Sequence, residues 1–349
     1  MNVAAILLLR KFISTEKSGA EIKDFKVIKV LKNIGNLMKI KSFLQTIAMI
    51  ALFNLPLLGQ VNNYPSISEN KIIIEGETCS WDSNAVHTFS VVTANMDGYK
   101  YWAYYGLDWY RKNPHARKAG LARSNDLIHW DKYKHNPIIN KNCRWPTVVI
   151  SDDVFYMFYA EYNKDNDSRI VMLSSKNGID FSNKTVIAPY TTGHQNQNPF
   201  IYFNKPDSTF YLFYYSGVER AKVISDKHWN ITVKKSKDIS KLQYACPKTI
   251  VTSKEVIAAP SIAFFNNKYY LLVEEFKIFG TKKKWVTNAF GSDNIDHGYE
   301  RVKNNPILSN SDACAFQYVL DKKVYIFYSH KTNISEGHWD LRMVEVDNE

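Results

Sequence analysis

The chain has 349 residues, 45% of them hydrophobic and 23% charged, which suits a globular protein of two average domains or one large all-β domain and excludes a disordered one. Its net charge of +11 points first to nucleic acid or membrane, but residues 1–41 carry +6 of it and residues 42–59 carry none, so only about +5 remains for the rest of the chain. The 22 Tyr, 19 Phe and 8 Trp are a high aromatic share, as expected of β-strands and also of ligand clefts.

In chain order, the first segment is Lys-rich and amphipathic through about Asn36. Met38 then starts a second pattern: Lys39 and Lys41, the uncharged run Ser42–Leu58, and Gly59-Gln60. A short basic region, an apolar run and a small residue at its end describe a secretory signal. The expected organisation is therefore an N-terminal extension and signal peptide over 1–59 with the true start at Met38, a linker over 60–70, and one domain over 71–349. Such a protein is secreted or periplasmic, with no stable membrane association after cleavage; a single membrane anchor is the alternative. No Cys follows the apolar run to take a lipid.

The remainder is built on a repeat. Five aromatic strands recur, Tyr101–Tyr105, Phe155–Tyr159, Phe210–Tyr214, Tyr269–Val273 and Val324–Tyr328, and Trp102, Tyr156, Tyr211, Tyr270 and Tyr325 are spaced by 54, 55, 59 and 55 residues. An apolar strand and a tight turn precede each, at Phe89–Val92, Pro146–Ile150, Pro199–Phe203, Pro260–Phe265 and Ala315–Leu320. A third strand follows each, and four repeats add a fourth, at Pro137–Ile139, Thr185–Ile187, Thr249–Val251 and Pro306–Leu308. The fifth repeat ends near Val346 without one, and Lys71–Ile74 is the candidate to complete it. The fold class expected is all-β, a five-bladed β-propeller closed by an N-terminal strand, which removes two exposed sheet edges. A β-sandwich leaves five equal repeats unexplained.

Up-and-down connections put the start of each first strand, the end of each second and the start of each third at one end. The polar residues gathered there are Asp82 and His87, Arg144 and Glu161, His194, Gln197, Asn198 and Glu219, Glu255, Glu274 and Glu275, and Asp312 and His330; Trp81, Trp109, Tyr110, Trp145 and Tyr215 are the nearby aromatics. Glu274 and Glu275 are adjacent on a strand, so at most one faces the cleft. Glu275 shares its offset from the aromatic strand with Glu161 and His330 and is taken as the inward one. Carboxylates facing each other across an aromatic cleft are what glycosidic-bond hydrolysis needs. The candidate catalytic set is Asp82, Glu161, Glu275 and His194. The candidate substrate-binding set is His87, Arg144, Trp145, Asn198, Asp312 and His330.

The segments Gly120–Trp130, Asn198–Phe203, Ala258–Ile262 and Asn267–Leu271 resemble the five-bladed propeller glycoside hydrolases around family 43, over essentially residues 71–346. That resemblance implies a base Asp before the Pro of an early blade, an orienting Asp before another Pro, and an acid Glu two before a third. Here the slots hold His87-Thr88-Phe89, Trp145, Asn198 and Ala258, so the usual carboxylates are absent. Three readings follow: an exported glycosidase of plant or algal polysaccharide-derived oligosaccharides using other groups on the same face; a noncatalytic carbohydrate-binding propeller; or a glycoside phosphorylase or transferase. The expected partner is an oligosaccharide or polysaccharide. No cofactor, metal motif, phosphate loop, nucleophile elbow or nucleic-acid motif is visible. Cys79, Cys143, Cys246 and Cys314 could form up to two disulfides or stay as thiols. The run Lys282-Lys283-Lys284 reads as a solvated loop.

Overall fold

Each aromatic segment becomes the second strand of a four-stranded antiparallel sheet, and a single parallel pairing, Ser168 with Gln195, joins the second and third of these into one eight-stranded sheet. The computed structural model describes residues 63–83, 86–107, 117–218, 229–279, 282–309, 312–333 and 338–347. The signal expected over 1–59, Met38, Trp109, Tyr110 and Glu219 lie outside them.

After β1 (Lys71–Ile74) come four sheets in sequence. The first is β2 (His87–Met96), β3 (Tyr99–Gly106), β4 (Ala119–Ser124) and β5 (Asp131–Lys132); the second is β6 (Arg144–Ser151), β7 (Val154–Tyr162), β8 (Ser168–Ser175) and β9 (Ser182–Ala188). The third is β10 (Gln195–Asn204), β11 (Thr209–Gly217), β12 (Trp229–Ser236) and β13 (Lys248–Ser253); the fourth is β14 (Ile257–Phe265), β15 (Lys268–Phe279), β16 (Lys282–Ser292) and β17 (Glu300–Arg301). The fifth combines β18 (Asp312–Leu320), β19 (Lys323–Asn333) and β20 (His338–Val346) with β1, whose Lys71 and Ile72 pair with Met343 and Arg342. The Lys282 run therefore opens a strand rather than a loop.

The hairpin chemistry explains the connections. Asp152-Asp153, Asn266-Asn267 and Asp321-Lys322 each place two successive residues at positive φ, the geometry that matches the twist of flanking strands. The third sheet differs, turning through a short 3-10 segment over Lys205–Asp207 with Ser208 left-handed.

The outermost strands of the first and fourth sheets lie upstream of the prolines expected to form them. Pro137 and Pro306 have no N–H to give a ladder, and Ile139 and Leu308 make only isolated bridges, to Ala119 and Thr287. Side-chain amides take over the missing pairing. Asn136 accepts from the Leu121 N–H at 2.8 Å and donates to the Leu121 carbonyl at 2.9 Å. Asn305 does the same for Ala289 at 2.7 and 2.8 Å.

The aromatic strands are buried on both faces because neighbouring sheets pack on each side; Tyr101 through Gly106 are all buried. The core is a series of clusters between successive sheets: first with second around Trp102 and Phe155, second with third around Phe158 and Leu212, fourth with fifth around Tyr270 and Ile326, and fifth with first around Phe327 and Phe89. The first strands β2, β6, β10, β14 and β18 touch in that cyclic order. Residues 63–70, expected as a linker, pack onto the sheets: Tyr64 is buried, Ile67 bridges Val346, and the Ser68 N–H donates to the Glu345 carbonyl. All four cysteines are free thiols, Cys143 and Cys314 buried and Cys79 and Cys246 exposed.

Candidate functional site

The starts of the five first strands surround one cavity, and they do so by the same backbone device. Thr88, Trp145, Asn198, Ala259 and Cys314 stand immediately before Phe89, Pro146, Pro199, Pro260 and Ala315, and each has positive φ, between 46° and 57°. Each lies at a break in the pairing of its strand with the next. A bulge of this kind re-aims one side chain and is found beside binding sites; five non-glycine residues held left-handed are a concentration of strain at one place. All five line the cavity, which narrows to about 40 Å³ between Pro146, Pro199, Pro260, Phe89, Phe200 and Phe316, room for about one water. The channel is thus floored by side chains, and anything larger than a water is confined to its mouth.

From the expected set, Trp145 and Asn198 line this cavity, while Arg144 and Asp312 lie one and two residues before the lining residues Trp145 and Cys314, with His330 paired to Asp312. The Arg144 guanidinium lies 3.9 Å from the Trp145 ring centre, and its Nη1 donates to Tyr162 Oη at 3.0 Å. Asn198 reaches the Cys314 thiol with Nδ2. Asp312, two residues before Cys314, accepts a 2.7 Å hydrogen bond from His330 Nδ1. His87 is buried edge-on against Trp339, beside Thr88.

Three residues here stand outside the expected catalytic and binding sets. Glu274, rather than Glu275, is the inward member of its pair: its Oε2 accepts from the Cys314 N–H at 3.1 Å and faces the thiol at 3.6 Å. Cys314 itself was read only as a thiol. Arg117 is buried and stacked 4.0 Å over the Tyr162 ring, the same ring that Arg144 approaches at 5.1 Å. A signal for Glu274 did exist, since it shares its offset from the aromatic strand with Gly106 and Ser329, both packed against the Thr88 segment.

The other catalytic candidates are tied up away from the mouth. Asp82 is buried in an ion pair with Lys132 of β5 at 2.8 Å and accepts from Tyr105 Oη. Glu161 binds Arg169 at 2.7 Å and, very closely, Lys184 of β9. Glu275 binds Arg301 of β17 at 2.6 Å and Asn288 at 2.5 Å. All three carboxylates therefore reach toward the outermost strand of their sheets. His194 lies in a separate pocket, where Nε2 pairs with Ser216 Oγ at 2.9 Å and burial lowers its pKa. Among the described residues no cluster of three or more His, Cys, Asp and Glu is placed to hold a metal ion.

Burial works to raise the Glu161 pKa, but the hydrogen bonds from Lys184 and Arg169 overcome it and hold the carboxyl below its ordinary 4.5. A depressed folded-state pKa contributes stability that is present above the unfolded value and lost as pH falls through the folded one. Glu161→Gln should therefore lower the melting temperature at neutral pH and flatten its acid limb. Parallel profiles for variant and wild type would contradict this role.

A family model described as the glycosyl hydrolases family 32 N-terminal domain matches residues 69–199. No curated protein matches the chain. Among solved structures, a thermostable family-43 glycoside hydrolase aligns with TM-score 0.58 at 15% identity, over 82% of this chain and 92% of that one. An endo-arabinase from Bacteroides thetaiotaomicron VPI-5482 gives 0.58 at 15% identity, over 80% and 98%. An N-acetylgalactosamine deacetylase from F. plautii gives 0.56 at 13%, over 81% and 94%. At such identities the likeness is one of fold. In fold, the chain resembles the propeller glycoside hydrolases grouped around family 43.

Proposed function

We propose that the five sheets are the blades of a five-bladed β-propeller closed by β1, and that the protein is an exported glycoside hydrolase acting on oligosaccharides from plant or algal polysaccharides. Export rests on the signal-like run from Lys39 to Gly59. The observation that carries the chemistry is the hydrogen bond of Glu274 to Cys314, a residue that lines the cavity with Trp145 and Asn198 and stands two residues after Asp312, the partner of His330. Hydrolysis needs one group to protonate the leaving oxygen and another to take a proton from water or attack the anomeric carbon. A His held by a carboxylate is suited to taking up a proton, because the carboxylate stabilises the imidazolium that forms. That assigns the base to Asp312–His330 and the proton donor to Glu274. Trp145, with Arg144 stacked on it, supplies an aromatic wall for a sugar ring.

The second reading, a noncatalytic carbohydrate-binding propeller, is favoured by Thr88, Asn198 and Ala258 standing where the resembling family carries carboxylates. One experiment separates the two. The protein is incubated with aryl glycosides and with plant and algal oligosaccharides, products are followed by chromatography, and binding is followed by calorimetry. Released sugar is the expected result; saturable binding of an oligosaccharide without product would establish the binding reading instead.

A further inference from the structure

A second cavity, of about 320 Å³, opens on the third sheet and shares no lining residue with the channel cavity. Its size falls in the range of small-ligand pockets. Strand alternation builds its polar face: Tyr214 and Ser216 on β11, Thr232 and Lys234 on β12, and Thr249 on β13 all line it. Pro189 and the Tyr214 ring supply apolar wall. From that face a hydrogen-bond relay continues along the lining. His194 Nε2 meets Ser216 Oγ, Ser216 Oγ donates to Asn196 Oδ1, and Asn196 Nδ2 donates to the Pro189 carbonyl. With Ser216 donating onward, His194 gives the proton to it.

Lys234 is the unusual member. Its side chain is buried, with 5% of the residue exposed. Nζ donates to the carbonyls of Ile187 at 2.7 Å and Gln243 at 3.2 Å, and among the described residues no carboxylate pairs with it. Burial pulls its pKa below the ordinary 10.5. An ammonium has three N–H donors, so one has no described acceptor, on a cation that lines the cavity. Asp167, the carboxylate that bears on His194, caps the Gly193 N–H and does not line the cavity. Among the described residues Cys246 is the one titratable group that bears on Lys234, and a buried cation without a carboxylate partner is a costly arrangement unless a counter-charge arrives.

We propose that this pocket binds a single sugar residue carrying an oxyanion, a carboxylate or a sulfate, whose anionic group accepts the remaining Lys234 hydrogen bond while the threonine hydroxyls meet ring hydroxyls. The sugar half of this proposal rests on the carbohydrate reading above; the anion half rests on the pocket alone. The site would hold an acidic saccharide at a distance from the channel mouth.

The test is calorimetric titration of the full chain with galacturonate, galactose 6-sulfate, galactose and inorganic sulfate. At least one acidic sugar should bind saturably, about tenfold or more tightly than galactose and than sulfate, and the preferred one identifies the anionic group. Lys234→Met should weaken that binding about tenfold or more. Thr232→Val, of similar shape and leaving the Lys234 carbonyl bonds intact, should weaken it less, and it covers the case in which the Lys234 variant misfolds. Glu274→Gln should bind as wild type does, so failure of the hydrolase reading leaves this result standing. Absence of saturable binding by either acidic sugar, equal binding of galactose or of sulfate, or unchanged binding in both pocket variants would overturn the proposal.

Discussion

Glu274→Gln is expected to lower kcat/KM on an oligosaccharide substrate by about 10²–10⁴-fold, the usual contribution of a general acid. The substitution keeps an oxygen for the Cys314 N–H and loses only the transferable proton, so the melting temperature should stay close to that of wild type. The decisive readout is the dependence on leaving group. A dinitrophenolate departs without protonation, and the variant should recover most of its rate on a dinitrophenyl glycoside. Asp312→Asn, which removes the partner that holds His330, should slow both substrates alike, because water activation is needed in either case. Equal loss by Glu274→Gln on both substrates, or no loss on either, would remove Glu274 from the proton-donor role.

The all-β repeat was legible because it is written in side chains that recur at a nearly constant interval. Aromatic strands buried on both faces leave a dense apolar signature, and the paired Asp and Asn turns between strands need positive φ at defined places. Lys71–Ile74 could be matched to the fifth sheet because that repeat alone lacked an outer strand. The site was less legible for two reasons. Glu161 and Glu275 share an offset from the aromatic strand, but the residues that engage them, Arg169, Lys184 and Arg301, look like any surface cations in sequence. Glu274 meets Cys314 across the junction of two sheets, forty residues apart, and no periodicity within one repeat reports such a contact. The left-handed turn at Thr88, Trp145, Asn198, Ala259 and Cys314 has no common residue type, so only the backbone reveals it.

The same backbone device lets one scaffold vary the side chains around its channel. The bulges at the five first strands aim one side chain each at the channel mouth whatever that side chain is. On the proposed reading, the chemistry is then supplied from the second strands, by Glu274 and His330. The F. plautii deacetylase among the fold's neighbours is a further sign that this architecture does not dictate one reaction.

Tyr64→Ala is the second large effect expected, and it concerns the segment before β1, which the sequence alone predicts to be a linker. Tyr64 is 1% exposed. Its ring meets Phe265 and Tyr270 of the fourth sheet edge-on, at 5.8 and 5.2 Å. Its hydroxyl donates to Gln317 Oε1 of the fifth at 3.1 Å, and Asn304 brackets its backbone N–H and carbonyl at 2.8 Å each. Gln317 in turn donates to the Ser261 and Tyr270 carbonyls, so the phenol completes a buried network spanning two sheets. Emptying that position should cost about 3–5 kcal/mol, a fall in melting temperature of roughly 6–20 °C at this size. Tyr64→Phe keeps the ring and orphans only the Gln317 oxygen, for about 1–3 kcal/mol. Thermal melts should therefore rank wild type above Phe and Phe above Ala. A Tyr64→Ala protein melting within about 1 °C of wild type would return residues 63–70 to the status of a tether. The expected ranking would instead place the segment before β1 in the fold itself, pinning the fourth sheet to the fifth while β1 completes the fifth.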